Sequence, residues 1–378
     1  MVARACLFGT YARAHSANRL LRAALEAAGY AVVECHAPLW ERTRDKLPAF
    51  FGIRSLAAQA VRYGRAVPQL VAQWRAIAHE TSLVVVGFNG QLDVLLARRL
   101  IGRRLPLLFA PLVTVTETLV EDRRVYRRGS LPGRLAAWLD RATLRSADVV
   151  LADTNAHRTY MCDTFGVEPG RVRTLYLGAE PAFYGTPPAA AGDARTVLFY
   201  GQYVPLHGAE VIVEAARRVG PRFTFTMVGS GPLRAEVEAA ARGLANVRFV
   251  DWVPYADLPS WIADADICLG IFGPGVKAAM VVPNKVYQAA AGARPIITGD
   301  TAAVREVFVN GESVWLTRPG DGAALADGLL TLAGDGALRL RLARNAHGIM
   351  RDRLRTSEQG RRLRALLDDG ACTRPLQA

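Results

Sequence analysis

The stretch FTMVGSGP, residues 225–232, runs from alternating apolar and β-branched side chains into two glycines and a proline. Strand, glycine turn and a residue suited to a first helical turn, in that order, predict a parallel β-α unit whose helix Pro232 is suited to start. Gly229 and Gly231 let a ligand approach the backbone, and the helix start beyond them offers unsatisfied N–H groups to an anion. An ordinary tight turn carries the same signature. Outward from this unit, short apolar runs alternate with amphipathic stretches. Strands are predicted over 5–8, 31–35, 83–86, 107–109, 149–152 and 172–175, then over 197–200, 223–228, 247–250, 267–269, 295–298 and 314–316. Helices are predicted over 16–28, 91–101, 135–145 and 155–165, then over 209–218, 233–242, 258–263 and 285–291. Strands joined by helical crossovers build parallel sheets, so the fold class is α/β.

A chain of 378 residues exceeds what one core usually fills. Residues 180–194, EPAFYGTPPAAAGDA, have three prolines and little periodicity and read as a linker. The expected organisation is a first domain over 1–180, a linker over 181–195, a second domain over 196–355, and a C-terminal helix or tail over 356–378 able to cross back. Two doubly wound, Rossmann-like domains then face each other across a cleft, with the chemistry in the loops at the carboxyl ends of the strands.

Composition narrows the function classes. Of 47 basic residues only Lys46, Lys277 and Lys285 are lysines. So strong an arginine bias, beside abundant alanine and glycine, reads as genome composition, and no nucleic-acid reading motif accompanies it. Residues 1–185 hold 25 basic and 15 acidic side chains, so the basicity is concentrated there. Cys6, Cys35, Cys162, Cys268 and Cys372 have no close spacing, which argues against a zinc site or a disulfide framework. Without an apolar run of spanning length or a secretory signal, the expectation is a cytoplasmic protein, at most peripheral on the inner face of the membrane. Asp264 and Asp266 mimic a metal-binding pair but sit at a helix-to-strand junction, and no G-x-S-x-G nucleophile elbow occurs.

Two further segments carry chemistry. In PNKVYQAAAGARP, residues 283–295, Asn284 resembles a cap and Lys285 falls in the first helical turn, where the dipole disfavours a cation unless an anion is present. A phosphate or diphosphate ligand answers that conflict. Lys277 flanks the same loop, with a solvated loop charge as the plain alternative. In GQYVPLHG, residues 201–208, Gln202 and His207 are placed to donate to the same phosphate.

In this order, GQYVPLHG, VGSGP, FVDWV, DLPSWIADADICLG, PNKVYQAAAGARPIIT and REVFVNGESVWL, spanning 197–353, resemble the nucleotide-sugar-binding domain of retaining glycosyltransferases of family 4, which have the GT-B fold. FGTYARAHSANRLL and ADVVLADTNAHRTYM resemble the acceptor domain of that family more loosely. The resemblance implies transfer from a nucleotide-diphosphate sugar, of UDP or GDP, to a sugar, lipid-linked or small-metabolite acceptor. It implies retention of configuration, no cofactor and no metal ion. Lys285, His207, Gln202 and Lys277 would stabilise the departing diphosphate, with Asn284 beside them. Gly229, Gly231, Trp252 and Val253 would line the base and ribose pocket, Gln288 would take the ribose hydroxyls, and Gly9, Tyr11, His15, Asn18 and Arg19 would form the facing acceptor loop. The departures are specific. Gln202 and His207 stand where the family has an arginine and a lysine, Met280 and Gln288 stand where it has two glutamates, and residues 109–114, FAPLVT, lack its histidine. A nucleotide-sugar epimerase of the same fold, or a catalytically impaired sugar-nucleotide or membrane-surface binding protein, are the alternatives.

Residues 42–75 hold seven basic side chains against the single acid Asp45. Ile53, Leu56, Ala60, Tyr63, Val67, Val71, Trp74 and Ala78 recur at helical spacing, Arg54, Arg62 and Arg65 fall elsewhere on the wheel, and Pro68 is expected to divide the segment into two helices. It is either a helical pair packed on the sheet or an interfacial segment that meets anionic lipid.

Overall fold

A computed structural model of the chain describes residues 2–39, 53–185 and 193–369. The first domain runs β1 (Arg4–Gly9), α1 (Ser16–Ala27), β2 (Ala31–His36), α2 (Ile53–Ile77), β3 (Leu83–Val86), α3 (Gln91–Ile101), β4 (Leu107–Phe109), α4 (Leu131–Ser146), β5 (Val149–Ala152), α5 (Asn155–Phe165) and β6 (Val172–Thr174). Its six strands are parallel in the order β2-β1-β3-β4-β5-β6. Strands buried on both faces need apolar side chains at every position, as LVVV in β3 and VVLA in β5 supply. Alternate residues divide between two cores. Cys6, Phe8, Val84 and Val86 pack under α2 to α5, whereas Ala5, Leu7 and Val85 pack under α1.

The second domain runs β7 (Thr196–Tyr200), α6 (Ala209–Val219), β8 (Thr224–Val228), α7 (Arg234–Ala240), β9 (Val247–Val250), α8 (Leu258–Ala263), β10 (Ile267–Leu269), α9 (Val276–Met280), α10 (Asn284–Ala291), β11 (Ile296–Gly299), α11 (Ala302–Arg305), β12 (Trp315–Thr317), α12 (Gly322–Gly334) and α13 (Gly336–Arg353). Its sheet is parallel too, in the order β12-β11-β10-β7-β8-β9. The last helix, α14 (Thr356–Asp368), returns to the first domain and buries Leu363 and Leu367 against α1.

Five expectations change in the fold. Pro68 does not divide α2, which continues through it from Ile53 to Ile77. The lost hydrogen bond is offset because the C-terminal half is anchored. Leu70 and Trp74 enter the core, and Gln69 and Gln73 hold the backbone of His36. The helix after the glycine turn begins at Arg234, past Pro232, and α4 begins at Leu131 because the Ser130 side chain caps it. Cys6 and Cys35, remote in sequence, are brought close on neighbouring strands as free thiols. The start of the linker is ordered, since Pro181–Gly185 forms a 3-10 turn that buries Phe183 in the second domain. Residues 186–192, the basic positions 42–46 and Cys372 lie outside the described residues, as do the side chains of Ile53, Arg54 and Leu56.

Candidate active site

At the start of α10, Pro283 occupies the cap position with extended backbone, so Asn284 is not the cap. Its amide instead donates to Ser16 Oγ across the cleft at 2.6 Å. Lys285 follows and is buried. Its Nζ stands 4.0 Å from the Phe199 ring centroid and has no hydrogen-bond partner among the described residues. The Nδ1 of His207 is likewise buried and unpartnered. The two side chains converge on one point of the loop after β7, where a Cβ added to Gly201 would lie 3.0 Å from Lys285 Nζ and 2.7 Å from the His207 ring. Burial holds the Lys285 ammonium well below its ordinary range. Burial, then the Lys285 charge, then that of Arg123, hold His207 well below its own. Two groups able to carry positive charge thus meet where no carboxylate among the described residues pairs with them, and an anion placed there would favour the charged form of both.

The glycine turn is explained from within the chain. A Cβ at Gly229 (φ +118°) would sit 2.0 Å from the Gly201 carbonyl, and one at Gly231 would sit 2.5 Å from Tyr203 N. Gly201 N and Tyr203 N donate to the Val228 and Ser230 carbonyls, at 3.0 and 3.2 Å, so the two loops form one platform. Arg234 braces it by donating to the carbonyls of Gly229 and Val250 and packing over Tyr203 and Phe249. Gln202 is exposed beside His207, Trp252 is half exposed, and Val253 packs at the edge of the core.

Gln288 is buried, and each of its amide atoms has a partner. It accepts from Tyr200 OH at 2.8 Å and donates to Tyr255 OH at 2.7 Å. Tyr255 donates to Glu180 at 2.8 Å, and Glu180 accepts from Arg19 of α1 at 2.8 Å, whose guanidinium also covers the Tyr255 ring. Met280 packs with Ile271, Val281 and Leu206. Lys277 is turned toward the first domain, where it donates to Thr118 Oγ1 at 2.9 Å and lies 3.8 Å from Glu117.

Across the cleft, the acceptor-side residues are shaped by local bonds. Gly9 leaves no room for a Cβ beside Asp93, and Tyr11 donates to Glu34 at 3.0 Å. His15 caps α1 and stacks on Phe88. Asn18 bridges the Ala12 carbonyl and the Phe88 N–H. A small cavity of about 50 Å³ opens here, lined by Leu20, Phe88, Leu112, Leu151, Tyr176 and Gln359. Both amide atoms of Gln359, from α14, are buried with no partner among the described residues, and Leu112 adopts φ +62°, rare for a leucine.

Sequence reasoning missed a buried charged cluster at the domain junction. His157 lies between Asp153 at 2.6 Å and Glu117 at 2.8 Å, and those two carboxylates hold it protonated, with its pKa pushed up to about 10. Glu117 opens a π-helical turn, Glu117–Asp122, whose Asp122 accepts from Leu206 N of the second domain at 3.0 Å. Glu306 of the second domain accepts from the first two N–H groups of α5 at 2.6 and 2.8 Å. The only sequence signal was the D-x-x-x-H spacing of Asp153 and His157 on one helical face. Asp266 accepts from the N–H groups of Arg195 and Thr196 and fixes the start of β7, and among the described residues no group of three or more His, Cys, Asp or Glu side chains is arranged to hold a metal ion.

Residues 15–183 match the family model described as Glycosyltransferase Family 4, and residues 194–335 match that described as Glycosyl transferases group 1. The chain belongs to the family-4 type of GT-B glycosyltransferases. This family-4 chain is 31% identical over 190 residues to a phosphatidyl-myo-inositol mannosyltransferase of Mycobacterium leprae, covering 48% of each chain. It is 28% identical over 222 residues to a D-inositol 3-phosphate glycosyltransferase of Catenulispora acidiphila, covering 49% of this chain and 48% of the relative. The match thus spans about half the length of these curated relatives. Among solved structures, Anabaena HepE in complex with UDP superposes with a TM-score of 0.70 at 18% identity, over 98% of this chain and 100% of the other. WaaG, a glycosyltransferase of lipopolysaccharide biosynthesis, gives 0.62 at 15% identity over 98% and 100%. At such identities the likeness is one of fold, and that fold is GT-B.

Proposed function

We propose that this family-4 glycosyltransferase transfers a sugar from a nucleotide diphosphate to an acceptor hydroxyl, with the departing diphosphate held by Lys285 and His207. The observation that carries this reading is the convergence of the unpartnered Lys285 Nζ and His207 Nδ1 on the loop at Gly201. As the bond from the anomeric carbon to the β-phosphate oxygen breaks, negative charge grows on that phosphate, and groups pre-placed in a dry site stabilise it. The acceptor hydroxyl forms the new bond on the face the phosphate leaves and gives its proton to the leaving oxygen, so configuration is retained. In this proposal neutralisation of the diphosphate falls to protein cations and needs no metal ion. UDP is the first nucleotide to try, because HepE was crystallised with UDP and with UDP-glucose, and GDP is the second. Both curated relatives have an inositol compound in their names, so a ring polyol, free or lipid-linked, is the first acceptor class. The partnered amide of Gln288 and the apolar Met280 keep a second reading, a sugar-nucleotide binding protein without turnover, in view.

Thermal shifts with UDP, GDP, ADP and TDP test the donor base, since a ligand at a hundredfold its dissociation constant adds about 2.7 kcal/mol of stability. Turnover of the matching sugar nucleotide then separates the readings. Acceptor-dependent transfer supports the proposal, acceptor-independent conversion of the donor sugar points to an epimerase, and binding without either leaves a binding protein. Full turnover by a folded Lys285→Ala variant rejects the site.

A further inference from the structure

The α4 helix directs part of its apolar surface away from the protein. Leu131, Leu135 and Trp138 are 80%, 61% and 59% exposed, and their spacings of four and three place them on one face. The inward face already satisfies the fold. Ala136, Thr143 and Leu144 are buried, and Asp140 accepts from the N–H groups of Val115 and Thr116 at 2.9 and 2.7 Å. The outward leucines and tryptophan are therefore left largely unpacked among the described residues.

The charge along this segment is mostly of one sign. Residues 123–145 hold seven arginines and a single acid, the buried Asp140. Arg123 and Arg128 pair with Asp122 and Glu121. Arg124, Arg127, Arg134 and Arg141 are exposed, with no carboxylate at ion-pair distance among the described residues. Helix α4 returns from the carboxyl end of β4, so Leu131 and Leu135 stand at the cleft end of the helical layer. In the first turn of the neighbouring α3, Leu92 is 45% exposed and extends the apolar surface at that end.

A nucleic acid would use the arginines and leave the leucines in water. An exposed stripe of Leu and Trp on an arginine-rich segment is instead the chemistry of a helix lying in a lipid interface. The apolar side chains enter the acyl boundary, the indole sits at the headgroups, and the guanidinium groups meet lipid phosphates. We propose that α4 seats the first domain on an anionic lipid surface, with the cleft opening close to the headgroups. This places the lipid contact on α4 and not on the 42–75 segment. It does not depend on the transferase reading, because the test below measures no turnover.

The full chain is sedimented with vesicles of phosphatidylcholine alone and of phosphatidylcholine mixed with phosphatidylglycerol. Binding to the mixed vesicles, reversed by salt, is the expected result. A variant with Leu131→Ser, Leu135→Ser and Trp138→Gln, and another with Arg124, Arg127, Arg134 and Arg141 all changed to Gln, should each bind about a hundredfold more weakly. Unchanged circular dichroism and melting temperature would confirm that the exposed substitutions leave the fold intact. Three outcomes overturn the proposal. The wild type ignores anionic vesicles at low salt; or the α4 variants bind as well as it does while Arg62→Gln with Arg65→Gln abolishes binding; or the leucine and tryptophan variant changes only the oligomeric state, which would make a second copy of the chain the occupant of this face.

Discussion

Lys285 and Lys277 are the same side chain eight positions apart, and the fold gives them opposite surroundings. Lys277 has a hydroxyl and a carboxylate within reach, whereas Lys285 Nζ faces the ring of Phe199 with no hydrogen-bond partner among the described residues. An unpartnered buried donor lowers stability by about 1–3 kcal/mol. Lys285→Met should therefore raise the stability of the ligand-free protein by roughly that amount while removing about 2–4 kcal/mol of transition-state stabilisation. Thermal melts without ligand and steady-state turnover check the two halves, and a variant that is both less stable and fully active contradicts the assignment. A second prediction follows from protonation. The folded-state pKa values of Lys285 and His207 are depressed, so between the depressed value and the ordinary one, 10.5 for lysine and 6.5 for histidine, the unfolded chain binds more protons than the folded one. The contribution of these groups to ligand-free stability consequently rises with pH across those windows. A bound diphosphate favours their charged forms, so binding takes up protons and the affinity falls as pH rises. Calorimetry of UDP binding in two buffers of different ionisation heat measures that uptake, and its absence would count against the pocket. Lys285 was legible in the sequence because a lysine in a first helical turn of a lysine-poor chain is a local anomaly. The tie of Lys277 to Thr118 was not, since it joins residues 159 positions apart.

Among the elements, the glycine turn shows how a local pattern is read correctly for an incomplete reason. Strand and turn were legible over 225–232, while the helix starts two residues past Pro232. The need for the glycines comes from the 201–203 loop, which only the pairing of β7 with β8 brings against them. A Cβ at Gly231 would meet backbone, 2.5 Å from Tyr203 N and 3.0 Å from Tyr203 O, and backbone cannot swing aside as a side chain can. Gly231→Ala should lower stability by about 1–3 kcal/mol, and because the same platform carries His207 it should also weaken nucleotide binding. Denaturant melts with and without UDP measure both, and a variant as stable as the wild type would show that the two loops are not locked. Helix α2 marks the opposite limit. Its apolar spacing was visible, but the anchoring by Gln69 and Gln73 to the backbone of His36 was not, so Pro68 was read as a break. The π-helical turn at Glu117–Asp122 has no periodicity that a helix or strand template matches, and its role is set by contacts with the other domain.

At the scale of the molecule, two domains built from the same alternation are joined by more than a linker. Asn284 reaches Ser16, Arg19 reaches Glu180 and Tyr255, and Glu306 caps α5. The chain crosses between domains once after β6 and again before α14, and the two crossings touch, since a Cβ on Gly178 (φ +79°) would lie 2.6 Å from the Leu354 carbonyl. Beyond that contact α14 buries Leu363 and Leu367 on α1, with Gly360 pressed against Ala27. Burying two leucines contributes about 3–6 kcal/mol, an upper figure because the unfolded chain is itself partly collapsed. That is a large share of the margin of a single domain, so the first domain depends on a helix that follows the second in sequence. The intact protein should unfold in one cooperative transition. Ending the chain after Arg355 should split it, with the first domain melting earlier and UDP raising only the later transition. Scanning calorimetry with and without UDP distinguishes the cases. If the shortened chain still melts in a single transition at the original temperature, the return of α14 is not what couples the domains, and the coupling must lie in the cleft contacts themselves.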